Sequence, residues 1–310
     1  MKKERLVVIL GPTATGKSHC GIQLARRFDG EIISGDSMLV YRQMDIGTAK
    51  PDKEELALVP HHLVDILPPD AEFSVVDFKE RAASLITEIN GRGKLPFLVG
   101  GTGLYVKALL EDYQFNRVGG DEPLLREVEE FAAEQGNDAL HERLRQADPE
   151  AAERLHPNDL RRVVRALESA LKGETVSQEA AVEPVYDVTV FGLSMEREFL
   201  YERINLRVDR MLEQGLEDEV RKLMAAGLTR DHLSMKSLGY RQMAEYLDGL
   251  CDYDTMVDNI KKGTRHFAKR QITWYKKMPY VRWFNVDRDL DYGKIVDAMA
   301  VQLVESGEML

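Results

Sequence analysis

The chain has 310 residues, 44% hydrophobic and 31% charged, with a formal net charge of −11, the balance of an ordinary globular protein of roughly two domains. No apolar run is long enough to cross a bilayer, so no membrane partner is expected, and two cysteines exclude a disulfide framework or a cysteine-rich zinc module. The acidic balance argues against nucleic acid as a partner unless the average conceals a local basic face.

The opening MKKERLVVIL imitates a secretion signal, but its apolar part is too short and a glycine-rich motif follows at once. It is expected to be a buried first strand, RLVVIL at 5–10, in a cytoplasmic protein. A helix is predicted over 17–28, a second strand over 31–34, a helix closed by glycines over 74–93 and a third strand over 95–100. Strand and helix in alternation imply a parallel sheet with helices on both faces. Residues 121–173 read as wholly helical, with breaks near Gly136, Pro149 and Pro157 and a last helix capped by Asn158. Strand character returns at 186–193 and 280–286.

GPTATGKS, Gly11 to Ser18, fits the phosphate-loop pattern at every fixed position and lies between a predicted strand and helix, where that motif must lie. Glycines let backbone N–H groups surround phosphate oxygens, and the helix N-terminus adds positive potential. Lys17 then neutralises phosphate charge, and the Ser18 hydroxyl can take a place on Mg²⁺. The expected fold is therefore α/β, a P-loop nucleoside-triphosphate-hydrolase-like sheet over 1–115 and 185–310, interrupted by an all-helical insert over 116–184. Nucleotide (ATP) binding is the general expectation for such a loop. However, the third strand ends in a second glycine-rich loop, GGTGLY, with Thr102 and Tyr105, and not in the acidic residue an ATP hydrolase would carry.

The segment GDSMLVYRQMDIGTAKP (35–51) has no regular hydrophobic period, and it follows the second strand as the phosphate loop follows the first. Ligands of parallel sheets gather at the carboxyl ends of strands. Asp36 is thus placed to be a metal ligand, a general base or a hydrogen-bond acceptor for whatever the phosphates belong to. Arg203, Arg207 and Arg210 share one helix face at i, i+4 and i+7, and such like charges repel unless an anion meets them. The run KKGTRHFAKRQITWYKK (261–277) has seven Lys or Arg, no acid and three aromatic side chains, the local basic face that the net charge conceals.

Together these segments resemble the tRNA dimethylallyltransferase (isopentenyltransferase) family in its bacterial form. GPTATGKS, DSMLVYRQMDIGTAKP, HHLVDI, LVGGTGLY, RVVRALE, RVDRMLEQGLEDEV, LGYRQM and AKRQITWYKK carry the likeness through nearly the whole chain. Leu39 stands where many members have Gln and Gln43 where many have Gly, and the zinc finger of eukaryotic members is absent.

The resemblance implies transfer of a dimethylallyl group from dimethylallyl pyrophosphate to the N6 amine of the adenine 3′ of the anticodon. It implies that Gly11, Pro12, Thr13, Ala14, Thr15, Gly16, Lys17 and Ser18 hold pyrophosphate, with Mg²⁺ on Ser18. Lys17, Arg203 and Arg207 would stabilise the leaving charge, and Asp36 would accept the amine proton. Asp36, Ser37, Met38, Leu39 and Thr102 would meet the flipped base. Arg126, Arg161, Arg162, Val163, Val164, Arg165, Lys269 and Arg270 would grip the anticodon stem-loop, the chain acting as a monomer. Two rivals remain at this stage: a small-molecule P-loop kinase and, lacking an NKxD-type segment, an RNA-binding GTPase-like switch.

Overall fold

The computed structural model describes residues 3–111, 122–172 and 183–307. In chain order the elements are β1 (Arg5–Leu10), α1 (Lys17–Arg27), β2 (Gly30–Ser34), α2 (Lys53–Leu58), β3 (His61–His62), α3 (Val75–Gly91), β4 (Leu95–Gly100) and α4 (Gly103–Leu110). Then come α5 (Glu122–Gln135), α6 (Asn137–Ala147), α7 (Pro149–Arg154) and α8 (Leu160–Leu171). The chain continues with β5 (Asp187–Met195), α9 (Arg197–Glu213), α10 (Leu216–Ala225), α11 (Tyr240–Leu247), α12 (Tyr253–Tyr275), β6 (Val281–Val286) and α13 (Tyr292–Glu305).

The six strands form one parallel sheet in the order β3-β2-β4-β1-β5-β6. β1 and β4 are buried along nearly their whole length, which is why they read as unbroken apolar runs and not as alternating patterns. One core gathers on the α3, α4 and α10–α12 side around Leu6, Val8, Phe78 and Tyr240. The other gathers around Val7, Ile9, Leu24, Phe191 and Leu303 under α1 and α13. Local signals fix several helix starts: Ser74 and Asp77 cap α3 reciprocally, and Asp52 and Glu55 do the same for α2.

The register decides where chemistry can occur. Leu10 pairs with Gly100 on one side and with Gly192 on the other, and Ser34 pairs with Val99. The carboxyl ends of β1, β2 and β4 therefore lie level, with β5 running on to Met195, and the loops that leave them share one edge. β4 stands between β1 and β2, so the second glycine loop, and not bare strand, separates Asp36 from the phosphate loop.

Contacts divide the chain at Leu110/Glu111 and at Glu183/Pro184, a few residues from the expected insert limits of 116 and 184. The insert has its own core of Val128, Ala132, Leu140, Leu144, Val163, Val164 and Leu167. Buried His141 turns Nε2 to the carbonyls of Ala152 (3.1 Å) and Leu155 (2.8 Å), so that nitrogen carries the proton. Asp159, and not Asn158, occupies the N-cap of α8, with no side-chain capping bond.

His61 and His62, unassigned in the sequence, form the short edge strand β3. His62 Nε2 meets Glu31 at 2.8 Å, and Arg92 reaches the same carboxylate at 2.7 Å. That is a structural use, and both cysteines are likewise free thiols.

Candidate active site

The phosphate loop is closed by its own side chains and by two helices from later in the chain. Thr15 Oγ1 and Lys17 Nζ both donate to the Pro12 carbonyl, at 2.8 and 2.9 Å. Gly16 caps α1 with φ +90°, and a Cβ there would lie 2.3 Å from the Tyr292 ring, so only glycine fits. From α9, Arg203 Nε donates to the Ala14 carbonyl at 2.9 Å.

From α12, Gln271 accepts the Thr13 N–H at 3.0 Å and donates to the Gly101 carbonyl at 2.7 Å. Tyr275 donates its hydroxyl to the same Gly101 carbonyl at 2.7 Å. Gln271 and Tyr275 thus clamp the two glycine loops together, a role the sequence reading missed. The available signal was their place as uncharged, buried positions within an otherwise basic run.

Asp36 sits where β2 opens into its loop. Its Oδ1 accepts the Met38 N–H at 2.8 Å, a local turn that fixes the carboxylate without consuming both oxygens. The Ser37 N–H donates to Thr102 Oγ1 (3.3 Å), and the Thr102 N–H to the Gly35 carbonyl (3.3 Å). At Gly100 a Cβ would come within 2.3 Å of the Gly35 carbonyl carbon, so the two loops touch backbone to backbone.

Beneath them is a cavity of about 330 Å³ lined by Lys17, Ser18, Asp36, Ser37, Met38, Leu39, Thr102, Arg207 and Arg270, among others. A second cleft of about 220 Å³ is lined by Ala14, Gly16, Lys17, Ser18, Ala49, Pro51, Glu55, Arg203 and Arg207. Lys17, Ser18, Ala49 and Arg207 belong to both, so the two spaces adjoin across these residues.

The electrostatics of this junction are strained in one direction. Burial, reinforced by the Arg207 guanidinium and opposed by Asp36, pulls the Lys17 ammonium down to about 7. Arg207 is lowered as well, by burial first and Arg203 last, while Asp36 works the other way. Lys17 and Arg207 thus share the first cavity with the one carboxylate of Asp36, and with Arg203 they meet Glu55 in the second, all of these side chains being partly buried. Such a site gains most from an incoming anion.

The wall between the cavities is held by an acid the sequence reading did not single out. Glu219, on α10, accepts the N–H groups of Asp45 (2.9 Å), Ile46 (2.9 Å) and Gly47 (3.1 Å) and the hydroxyl of Tyr240 (2.5 Å). Lys50 ties the same turn to Asp45 (2.6 Å), to Asp65 and to the Tyr41 carbonyl (2.8 Å). The irregular segment after β2 is therefore rigid because its backbone donors are satisfied by side chains from elsewhere.

Several expectations need correction. Val163 and Val164, placed among the RNA-contacting residues, are closed inside the insert core at 0% and 4% exposure, so their side chains meet no ligand. Arg210 is exposed on α9 and lines neither cavity, leaving Arg203 and Arg207 as the inward pair. The basic run is not wholly uncompensated, because Lys261 pairs with Asp209 at 2.6 Å. Arg161, Arg162 and Arg165 are exposed on α8, and Arg126 is exposed on α5.

Fold and cavity together define a parallel α/β protein whose glycine-rich motif after β1 opens into a cavity shared by Lys17, Arg207 and the Asp36 carboxylate. The model of the family described as IPP transferase matches residues 39–278, and the chain belongs to that family. A protein of Halalkalibacterium halodurans named tRNA dimethylallyltransferase is 49% identical over 297 residues, covering 94% of each chain. One of the same name from Exiguobacterium is 49% identical over 300 residues, covering 96% of each.

Among solved structures, the full-length tRNA isopentenylpyrophosphate transferase of Bacillus halodurans is similar at 47% identity and TM-score 0.74, covering 99% of both chains. A eukaryotic dimethylallyltransferase described as acting on tRNA is similar at 26% identity and TM-score 0.82, covering 97% of this chain and 79% of that one.

Proposed function

We propose that this chain transfers a dimethylallyl group from dimethylallyl pyrophosphate to the N6 amine of the adenine 3′-adjacent to the anticodon in tRNA. The observation that carries the reading is the meeting of Lys17, Arg207 and Asp36 in one partly open cavity at the strand ends. Pyrophosphate fills the phosphate-loop side, where Lys17 and the inward arginines answer its charge. The allylic C–O bond breaks as the C–N bond forms, so negative charge collects on the leaving group while the attacking nitrogen becomes acidic. The cations take up the first change and Asp36 takes the proton, aided by Thr102 and the 36–39 segment that hold the base.

The donors present suit Mg²⁺, which keeps several waters and binds through few protein groups plus substrate phosphates. Among the described residues no cluster of three His, Cys, Asp or Glu makes a metal cage, and Ser18 lines both cavities. Ser18 would hold the ion, which when bound neutralises charge on the departing pyrophosphate. No helix among the described residues is long and apolar enough to cross a membrane. The reading includes a cytoplasmic, monomeric enzyme, and light scattering on the purified chain checks the monomer.

Purified protein incubated with dimethylallyl pyrophosphate, Mg²⁺ and unmodified tRNA is expected to yield a prenylated adenosine, detected by mass after nuclease digestion. The absence of that nucleoside, with ATP consumed in a parallel tube, would move the small-molecule kinase to first place.

A further inference from the structure

The chain has two tryptophans, Trp274 and Trp283, and both leave a large part of the indole in solvent, 39% and 42% exposed. Each is seated on a glycine. A Cβ at Gly103 would lie 2.9 Å from Trp274 Cβ and 3.1 Å from its Cγ, and a Cβ at Gly192 would lie 2.7 Å from Trp283 Cε3. Neither glycine has a left-handed backbone, so what the missing side chain provides is room for an indole, shared at Gly192 with Val281 Cγ1, which a Cβ would meet at 2.5 Å. Two bulky side chains are thus supported from beneath and open above, an arrangement that core packing does not require.

The two rings border successive hollows that begin at the active cavity. Arg270 lines that cavity and also a hollow of about 470 Å³ beside Trp274, His266, Lys269 and Thr273. Lys269 and Thr273 also line the next hollow, of about 590 Å³, with Trp283, Tyr201, Arg197 and Lys276. No acid lines either hollow, and among the described residues neither Lys269 nor Lys276 has an ion-pair partner within 4.0 Å. Cations alternating with open aromatic faces along a groove are the requirement for holding a single-stranded nucleic acid, bases stacked and phosphates neutralised.

We infer that the surface from Arg270 through Trp274 to Trp283 is a track for the unpaired RNA nucleotides that flank the target base, with the two indoles as stacking platforms. This rests on the RNA-modifying reading above and extends it to residues outside the catalytic cavity. Stacking holds bases without reading their edges, so the track would anchor the loop while the cavity selects the adenine.

The test uses the full chain, dimethylallyl pyrophosphate and an unmodified anticodon stem-loop RNA. In Trp274→Phe the remaining indole is Trp283, and in Trp283→Phe it is Trp274, so each fluorescence titration reports one platform. RNA is expected to quench both. Trp283→Leu is expected to raise the KM for RNA about tenfold with less than a twofold change in the KM for dimethylallyl pyrophosphate, and Trp283→Phe is expected to restore it. A merely structural role would not be rescued in this way or divide the two KM values.

Prenylated product with an unchanged indole spectrum and an unchanged KM for RNA overturns the track and leaves the transferase standing. Quenching by RNA without product overturns the transferase reading and leaves the track. Failure of any RNA to bind overturns the track, and quenching by an added protein but not by RNA assigns the surface to a different partner.

Discussion

In the cavity at the strand ends Lys17 and Arg207 lie close enough to influence each other and the Asp36 carboxylate, and burial lowers both cations. On the insert, cations of the same kind lie on open helix faces beside their own acids. Arg162 stands 3.4 Å from Asp159, Arg165 2.9 Å from Glu168, and Arg143 3.1 Å from Glu127. The first group is partly buried with more cations than carboxylates around it; the second is solvated and, at these three residues, already paired. A count of arginines does not separate these regions, whereas desolvation and pairing do. An anion entering the cavity relieves repulsion, but one meeting the insert must displace partners that each contribute little.

The comparison predicts very unequal mutational effects, and the largest belong to the cavity. Asp36→Ala is expected to lower the single-turnover rate of prenyl transfer by about 10²–10⁴-fold, the usual contribution of a positioned base. A rate within tenfold of the parent would reduce Asp36 to a turn residue. Arg207→Ala is next, expected to cost about 10²–10³-fold in kcat through lost stabilisation of the departing pyrophosphate. Glu219→Gln would keep the size of that side chain but swap an acceptor for a donor where three backbone N–H groups and a tyrosine hydroxyl converge. It should lower Tm by several degrees, read by calorimetry.

Lys17 provides a finer test through pH. Free, its ammonium titrates near 7; beside a bound polyanion its pKa rises, so above about 7 the complex holds more protons than its separated partners. Affinity for inorganic pyrophosphate should therefore fall as pH rises above 7, with proton uptake on binding. Calorimetry at pH 8.5 in buffers of different ionisation enthalpy should show about one proton more for the parent than for Lys17→Arg, whose guanidinium stays charged throughout. Equal uptake would mean that Lys17 is already protonated in the free protein.

Much of the cavity was legible because its parts carry local signals. The phosphate loop, the second glycine loop and the odd segment around Asp36 each depart visibly from helix or strand periodicity, and parallel topology sends all three to one edge. What escaped was whatever acts across distance. Glu219 sits in an ordinary-looking acidic run, LEDEV, and nothing local says that its carboxylate closes a turn more than 170 residues earlier. Gln271 and Tyr275 were hidden by the charges around them. The order of strands was also beyond a local reading, since no pattern in LPFLVG says that it lies between the first two strands. Val163 and Val164 show the opposite difficulty: the resemblance placed them on the RNA, whereas both side chains are buried with Leu167 in the insert's own core.

The smallest expected effect concerns the insert and would sharpen the comparison most. Replacing Arg161, Arg162 and Arg165 by Gln removes three exposed charges from α8 and touches none of its core, which is built from Val163, Val164 and Leu167. If all three meet phosphates, the plot of log affinity for tRNA against log salt should flatten by at most about three contacts' worth of counterion release. The ion pairs already formed at Arg162 and Arg165 predict less, because a cation that must leave Asp159 or Glu168 to meet a phosphate contributes only the difference. A flattening near one contact, with the rate at saturating tRNA unaltered, would fit one unburdened contact at Arg161 and two exchanged ones. An unchanged slope and affinity would remove the insert's arginines from RNA recognition and leave the basic face of α12 to supply the grip.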